Sequence, residues 1–276
     1  MAVFWGSLAA VLIGVSDLVL IRSSDKAHIV TIMVLVSAGG VLTGFAALLV
    51  VDSTIRLGDM ALGALAGMSM GAALALYVVS MRATSVSVTS PIVAVLNSLW
   101  PFGYGVLIND ETPERLAIAG VALGLLSLVV TTWSPESTGN LARGVALALL
   151  SGTAYGLGNI LLGNTSEASG MWPAVTHRSA GVVMFLVVAA VVGLPRLAPP
   201  SVRLSPLVAG FLGTGALVAF LIGVQGGSLS IVSVSMGMFP AVSVGLLHLF
   251  AGHPLRWWQA VGIGGAITGV AVIAVA

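Results

Sequence analysis

The sequence predicts an all-α integral membrane protein with ten transmembrane helices, arranged as two inverted five-helix repeats. The first reason is composition: 58% of the 276 residues are hydrophobic and only 7% are charged. A soluble domain carries about 25% charged residues, so this chain cannot cover an ordinary water-facing surface. The second is a set of apolar runs, each close to the roughly 20 residues that cross a bilayer. The third is a similarity between the two halves of the chain.

Ten apolar runs can be read along the chain, joined by loops too short to hold a soluble domain. They cover residues 2–21, 29–51, 60–81, 86–108, 116–133, 142–162, 171–194, 204–224, 229–251 and 257–276. The runs are continuously apolar rather than alternating, which argues against a β-barrel. The first run lacks a basic region before it and a signal-peptide cleavage site after it, so we expect it to be retained as a helix.

The repeat divides the chain into residues 1–133, a polar linker at 134–140, and residues 141–276. A shift of 138 residues lays one small-residue stripe on another: Gly6, Ala10 and Gly14 fall on Gly144, Ala148 and Gly152. Each half then holds five helices. An odd number of spans gives the two halves opposite orientations in the membrane, which is an inverted repeat.

Several function classes are not expected. The net charge is +1 and there are no basic runs, so nucleic acid is not an expected partner. The absence of cysteine removes disulfides and thiolate metal sites, and we expect no metal or cofactor. The sequence also has no H-E-x-x-H motif, no G-x-S-x-G motif and no closely spaced pair of intramembrane aspartates. An enzyme is therefore not expected.

Asp17 is an acidic residue inside the first apolar run. A charge at the centre of a membrane helix costs about 2.5–3.5 kcal/mol, so we expect its side chain to face water or the protein interior. Asp17 continues the first small-residue stripe, and the repeat places Tyr155 at the matching position, with Asn159 one turn further. The sequence thus predicts that Asp17, Tyr155 and Asn159 line a central cavity and bind or couple substrate. The alternative is that Asp17, close to the end of its helix, simply extends its side chain to the membrane interface or pairs with Arg22.

His177 and Arg178 are adjacent polar residues near the start of the seventh run. Adjacent residues on a helix point about 100° apart. We therefore expect one of them to face the cavity, where it would bind substrate or an acid, while the other reaches the membrane interface. The alternative for Arg178 is structural, with its side chain reaching lipid headgroups or nearby helix carbonyls.

Prolines fall at corresponding places in the fourth and ninth runs, namely Pro91, Pro101 and Pro240. Proline removes a backbone hydrogen bond and kinks a helix, and interrupted helices in both halves are a pointer to a transporter's binding site. Asn97 would supply directional hydrogen bonds there and Trp100 a stacking face, and Tyr77 in the third run is a further cavity candidate. The alternative is ordinary proline kinks with aromatic residues in the interfacial belt.

Two other patterns predict packing or capping rather than binding. The third run carries a glycine row, Gly63, Gly67 and Gly71, whose G-x-x-x-G spacing is typical of a helix-packing face. An acidic cluster precedes the fifth run, where we expect it to favour the dipole of that helix rather than bind metal; it comprises Asp110, Glu111 and Glu114.

The chain also resembles a known family. The stretches FWGSLAAVLIG (4–14) and INDETPERLAIAGVALGLLSLVV (108–130) resemble the first helix and the fourth-to-fifth helix junction of the drug/metabolite transporter superfamily, in its ten-helix EamA-type members. AGHPLRWWQAVGIGGAITGVAVI (251–273) resembles the same junction in the second half, although His253 stands where a glutamate is usual. Arg178 resembles an arginine common early in the second helix of each family repeat.

This resemblance implies a secondary transporter that exports small amino acid-like or drug-like metabolites by alternating access, with possible proton coupling. The alternative is a passive facilitator or channel. The expected partners are a small-molecule substrate, protons and membrane lipid, with the chain as a monomer or homodimer in a bacterial plasma (inner) membrane. The resemblance also implies cytoplasmic termini, whereas the positive-inside rule predicts the opposite orientation. Arg56 and Arg115 lie in loops on the side of the termini, against seven basic residues on the other side: Arg22, Lys26, Arg82, Arg143, Arg196, Arg203 and Arg256.

Overall fold

A computed structural model describes residues 1–24, 26–133, 139–195, 198–252 and 254–276, with side chains apart from those at 21–24, 86, 87 and 251. These residues form eleven α-helices and no strand. The helices are α1 Ala2–Ser24, α2 Ile29–Ala47, α3 Leu57–Ala83, α4 Val86–Leu107, α5 Arg115–Thr132, α6 Leu141–Gly163, α7 Trp172–Val192, α8 Leu204–Gln225, α9 Leu229–Gly237, α10 Phe239–Ala251 and α11 Trp257–Val275. Two short 3-10 turns lie at Glu167–Ser169 and Pro200–Val202.

The predicted ten-span, all-α membrane fold is confirmed for the described part of the chain. Ten segments are long and apolar enough to cross a membrane, and α9 and α10 together form the ninth of them. This span is broken at Met238, and Pro240 lies in the first turn of α10, where its missing N–H needs no helical partner. By contrast, α4 runs without a break through Pro91 and Pro101. The predicted linker lies mostly at 134–138, outside the described residues.

The spans group into two bundles that each mix the two halves of the sequence. Helices α3, α4 and α6 form the first bundle, and α1, α8, α9 and α10 form the second. Helices α2 and α7 contact each other, α2 packing on α8 and α7 on α3, while α5 packs against α11. Exchanging the halves maps each of these span pairs either onto another of them or, for α2 with α7 and α5 with α11, onto itself. That pattern is what the predicted repeat requires, and the repeat itself stays a prediction.

Close glycine contacts hold the helices together, as the sequence predicts for the glycine row. A methyl group at Gly67 would lie 2.2 Å from the backbone oxygen of His177, and one at Gly63 would lie 2.5 Å from that of Pro173. The row therefore seats α7 directly on α3. The first small-residue stripe, on α1, packs likewise within the second bundle. A methyl group at Gly14 would lie only 2.7 Å from Val242 Cγ1 on α10. Such close packing is a main source of helix association in a membrane.

Glu111, in the loop after α4, caps a helix from the other bundle. Its carboxylate accepts hydrogen bonds from the backbone N–H groups of Leu229 (2.8 Å) and Ser230 (3.0 Å), and from the Ser228 hydroxyl. These groups form the N-terminus of α9, where free N–H donors and the helix dipole favour an anion. Glu111 of the acidic cluster thus lies at the positive end of a helix dipole, but the helix is α9 rather than the predicted α5. The contact joins the two bundles at one end of the molecule.

Candidate functional site

A cavity of about 1000 Å³ lies between the two bundles, lined by residues of nearly every span. Its lining reaches the helix ends at one face of the molecule, through Ser85, Trp133 and Gln259. Towards the opposite face it ends several residues inside the helices, at Asn159 and Phe220. Beyond that floor, at the closed end, lies the Glu111 cap of α9. The open end is the face whose loops carry most of the basic residues.

Asp17 lines this cavity from α1. Its stripe of small neighbours brings α1 close to α10, so the Ser243 hydroxyl donates a hydrogen bond of 2.7 Å to Asp17 Oδ2. The acid is half-buried, and its alternative partner, Arg22, has a side chain outside the described residues. The bond between Ser243 and Asp17 could not be foreseen from the sequence, because that contact spans 226 residues.

The two tyrosines of the predicted site line the same cavity from the first bundle. Tyr155 occupies the position on α6 that the repeat matches to Asp17 on α1. Tyr77, on α3, has its hydroxyl 2.6 Å from Ser90 Oγ on α4. The side chains of both bundles therefore meet across one space, with the acid on one side and phenols on the other.

Asn97 and Asn159 form a buried pair in the cavity wall. Asn159 Nδ2 donates to Asn97 Oδ1 at 3.0 Å and lies 3.4 Å from the backbone oxygen of Asn97. In an uninterrupted helix that oxygen would accept from residue 101, but Pro101 has no N–H to donate. The proline thus frees a carbonyl that α6 then satisfies, which ties α4 to α6 beside the cavity.

His177 and Arg178 both line the cavity, so the expectation that one of them would reach the interface is wrong. The angle between them is accommodated because the cavity borders α7 on two sides. His177 faces α3, with Nε2 3.3 Å from Met70 Sδ and a buried Nδ1 that has no partner. Arg178 faces α2 and α8, where Gly40 and Gly213 leave room for its side chain.

Comparison with known families finds a match for the second half of the chain. Residues 142–275 match the EamA-like transporter family. They belong to it. With the ten spans, this match confirms the predicted EamA-type transporter of the drug/metabolite superfamily. A solved crystal structure is similar in fold, with a TM-score of 0.80 and 17% identity over 99% of this chain and 98% of the other. No curated protein sequence matches the chain.

The EamA family is a transporter family, which supports a membrane transporter of small solutes. Trp100 is placed differently from the prediction: it is 48% exposed, does not line the cavity, and donates from Nε1 to Thr153 Oγ1 at 3.1 Å. Pro240 lines the cavity at the break of the ninth span, whereas Pro91 and Pro101 do not. Gln259 at the open end is a lining residue that the sequence did not single out.

Proposed function

We propose that this EamA-type protein is a secondary exporter of small metabolites, which works by alternating access and exchanges its substrate for protons. It would act in a bacterial plasma membrane, with no metal or cofactor. The observation that carries the proposal is the placement of Asp17. It is the one carboxylate among the described residues of the cavity lining, and its Ser243 contact lies at the broken ninth span.

Alternating access needs two rigid parts that can close either end of a shared cavity. The two bundles supply such parts. Their hydrogen-bonded contact through Glu111 and the N-terminus of α9 lies at the closed end. Release of that contact would open the closed end while the bundles meet at the other. The break at Met238 supports this motion, because a divided span can bend without straining a continuous helix.

Proton coupling follows from the cost of charge in a membrane. A carboxylate without a proton is costly to enclose in the empty, occluded cavity, whereas a protonated one is not. Asp17 would therefore take up a proton when substrate leaves and return it when substrate binds. The other titratable or charged side chains in the described lining are Tyr77, Tyr155, His177 and Arg178. Among these, Arg178 and His177 are candidates to bind substrate rather than protons.

The test is a comparison of metabolites released into the medium by cells that express the protein, Asp17→Asn, or neither. We expect a set of small metabolites to accumulate outside the cells with the natural protein alone, and a protonophore to abolish this release. Reconstitution of both forms in liposomes with one of those metabolites then measures proton-driven flux directly. Equal protein yield and elution volume show that the variant is folded. Full proton-driven flux in Asp17→Asn would overturn the proposal.

The second candidate is a passive facilitator, which is compatible with a cavity whose lining reaches one face of the molecule. A facilitator moves substrate down its own gradient, so its flux would ignore both the protonophore and the Asp17→Asn change. The same liposomes distinguish the two functions, because the coupled exporter accumulates substrate against a gradient and the facilitator does not.

A further inference from the structure

Arg178 is a cation in the cavity wall, and no acidic partner for it lies among the described residues. It lies in the second turn of α7, well inside a span, where an unpaired charge is costly and usually functional. Its Nε is buried and has no hydrogen-bond partner. Within the described part of the chain, no ion pair joins it to Asp17, whose Oδ2 is engaged by Ser243. The guanidinium is thus free to bind a group that enters the cavity.

The shape around Arg178 shows that packing holds it in place. A methyl group at Gly40 would lie 2.8 Å from Arg178 Cδ, and one at Gly213 would lie 3.4 Å from Nη2. The side chain therefore passes between α2 and α8 through space that glycine leaves open. A neighbouring hydroxyl, that of Ser16, is already committed to the backbone oxygen of Ala209 at 2.9 Å. These contacts hold the Arg178 side chain in place, and no hydrogen-bond partner for its Nε lies in the described part of the chain.

We propose that Arg178 is the substrate-recognition residue of the cavity and that the transported compounds are small organic monocarboxylates with an apolar body. This inference rests on the proposed function and names its substrate class. A guanidinium presents paired N–H donors that match a carboxylate, and the bond is strengthened by charge. The cavity also suits an apolar body, since its lining includes Met33, Met70, Leu74, Phe185, Leu217 and Phe220.

The charge balance favours a monoanion over a dianion such as a phosphate monoester. The described lining holds one arginine and one carboxylate. A bound monocarboxylate neutralises Arg178, so the charge that remains in the occluded cavity after the substrate has displaced the proton is that of Asp17 alone. A phosphate dianion would add a second negative charge inside the membrane, which is costly to enclose there.

The test measures binding of matched acids and amides to the purified protein in lipid nanodiscs by calorimetry. The probes are phenylacetate, cyclohexylacetate, hexanoate and indole-3-acetate, each with its primary amide. Phenethylamine and phenyl phosphate serve as cationic and dianionic comparisons. We expect at least one acid to bind about tenfold or more tightly than its amide, as loss of one charge-assisted hydrogen bond predicts. We also expect it to bind more tightly than either comparison.

Variants then test whether the tighter binding of acids than of amides depends on Arg178. Arg178→Gln should bind acid and amide equally, while Arg178→Lys should keep part of the preference. Arg143→Gln is the control, because it removes a positive charge from an exposed position at the start of α6, outside the cavity lining, and should bind as the natural protein does. Should Arg178→Gln fail to fold, the acid and amide comparison in the natural protein still decides.

The proposal is wrong if no acid binds more tightly than its amide, if Arg178→Gln retains the preference, or if the amine or the phosphate binds best. Asp17-dependent export of compounds that carry no carboxylate would overturn this inference and leave the proposed exporter function standing. Acid binding that is retained while transport loses its proton dependence would overturn the proposed proton-coupled exporter and leave this inference standing.

Discussion

Ser243 on α10 donates a hydrogen bond of 2.7 Å to Asp17 Oδ2 on α1. Both residues depend on a local sequence feature for their position. Asp17 follows a stripe of small residues that lets α1 approach α10, and Ser243 lies one turn after Pro240, where the ninth span restarts. The same hydroxyl lies 3.1 Å from the backbone oxygen of Phe239, next to the break. The Asp17 carboxylate, which is the proposed proton-binding group, is therefore hydrogen-bonded directly to the interrupted span.

Changing Ser243 should weaken transport without removing it. Ser243→Ala deletes the donor to Asp17, and a hydrogen bond to a charged group contributes about 1.5–3 kcal/mol. We expect proton-driven flux to fall about tenfold or more, whereas Ser243→Thr, which keeps the hydroxyl, should retain most of it. Flux in liposomes measures both. Equal flux in the alanine and threonine variants would show that the contact has no part in coupling.

Removing the Glu111 cap should open the closed end. The chain has no cysteine, so one placed at Ala216, a buried cavity residue, reports which face a membrane-impermeant thiol reagent can enter from. In Glu111→Ala we expect labelling through the face of the α4–α5 loop to quicken about tenfold or more, because hydrogen bonds to a charged carboxylate are lost.

Glu114→Ala is the matched control for this change. Glu114 lies in the same loop, is exposed, and makes no side-chain cap to the helix that follows it. Its loss should leave the labelling rate unchanged. Identical rates in the Glu111 and Glu114 variants would mean that the cap does not hold the bundles closed.

Gly67 should tolerate no side chain. A methyl group there would lie 2.2 Å from the backbone oxygen of His177, so α7 would have to move off α3. We expect Gly67→Ala to lower the unfolding temperature in detergent by several degrees and to reduce transport, because overpacking costs about 1–3 kcal/mol. Gly264→Ala is the control, since nothing lies within 4 Å of the added methyl. A Gly67→Ala protein as stable as this control would contradict the packing role.

The sequence predicts the spans well because a membrane leaves the backbone few choices. Twenty apolar residues must form a helix, and an acid inside one must face protein or water, so Asp17 could be placed from sequence. The contacts of Glu111 with α9 could not, because they join residues more than 100 positions apart. The prediction for Trp100 differs from the structure for a related reason. The direction of its side chain was inferred from neighbouring residues of α4, but α6 supplies Thr153 as a partner outside the cavity.

Asn159 and Pro101 can be changed together to test whether Asn159 replaces the hydrogen bond that Pro101 removes from the cavity wall. Asn159 Nδ2 lies near the Asn97 carbonyl that Pro101 leaves without a helical donor. Asn159→Ala should therefore lower the unfolding temperature, since a buried acceptor loses its partner. In a Pro101→Ala background the new N–H at position 101 can bond that carbonyl, so the same asparagine change should cost less. We expect a coupling of about 0.5–1 kcal/mol between the two positions. Strictly additive losses in the double variant would show that the proline and the asparagine act independently.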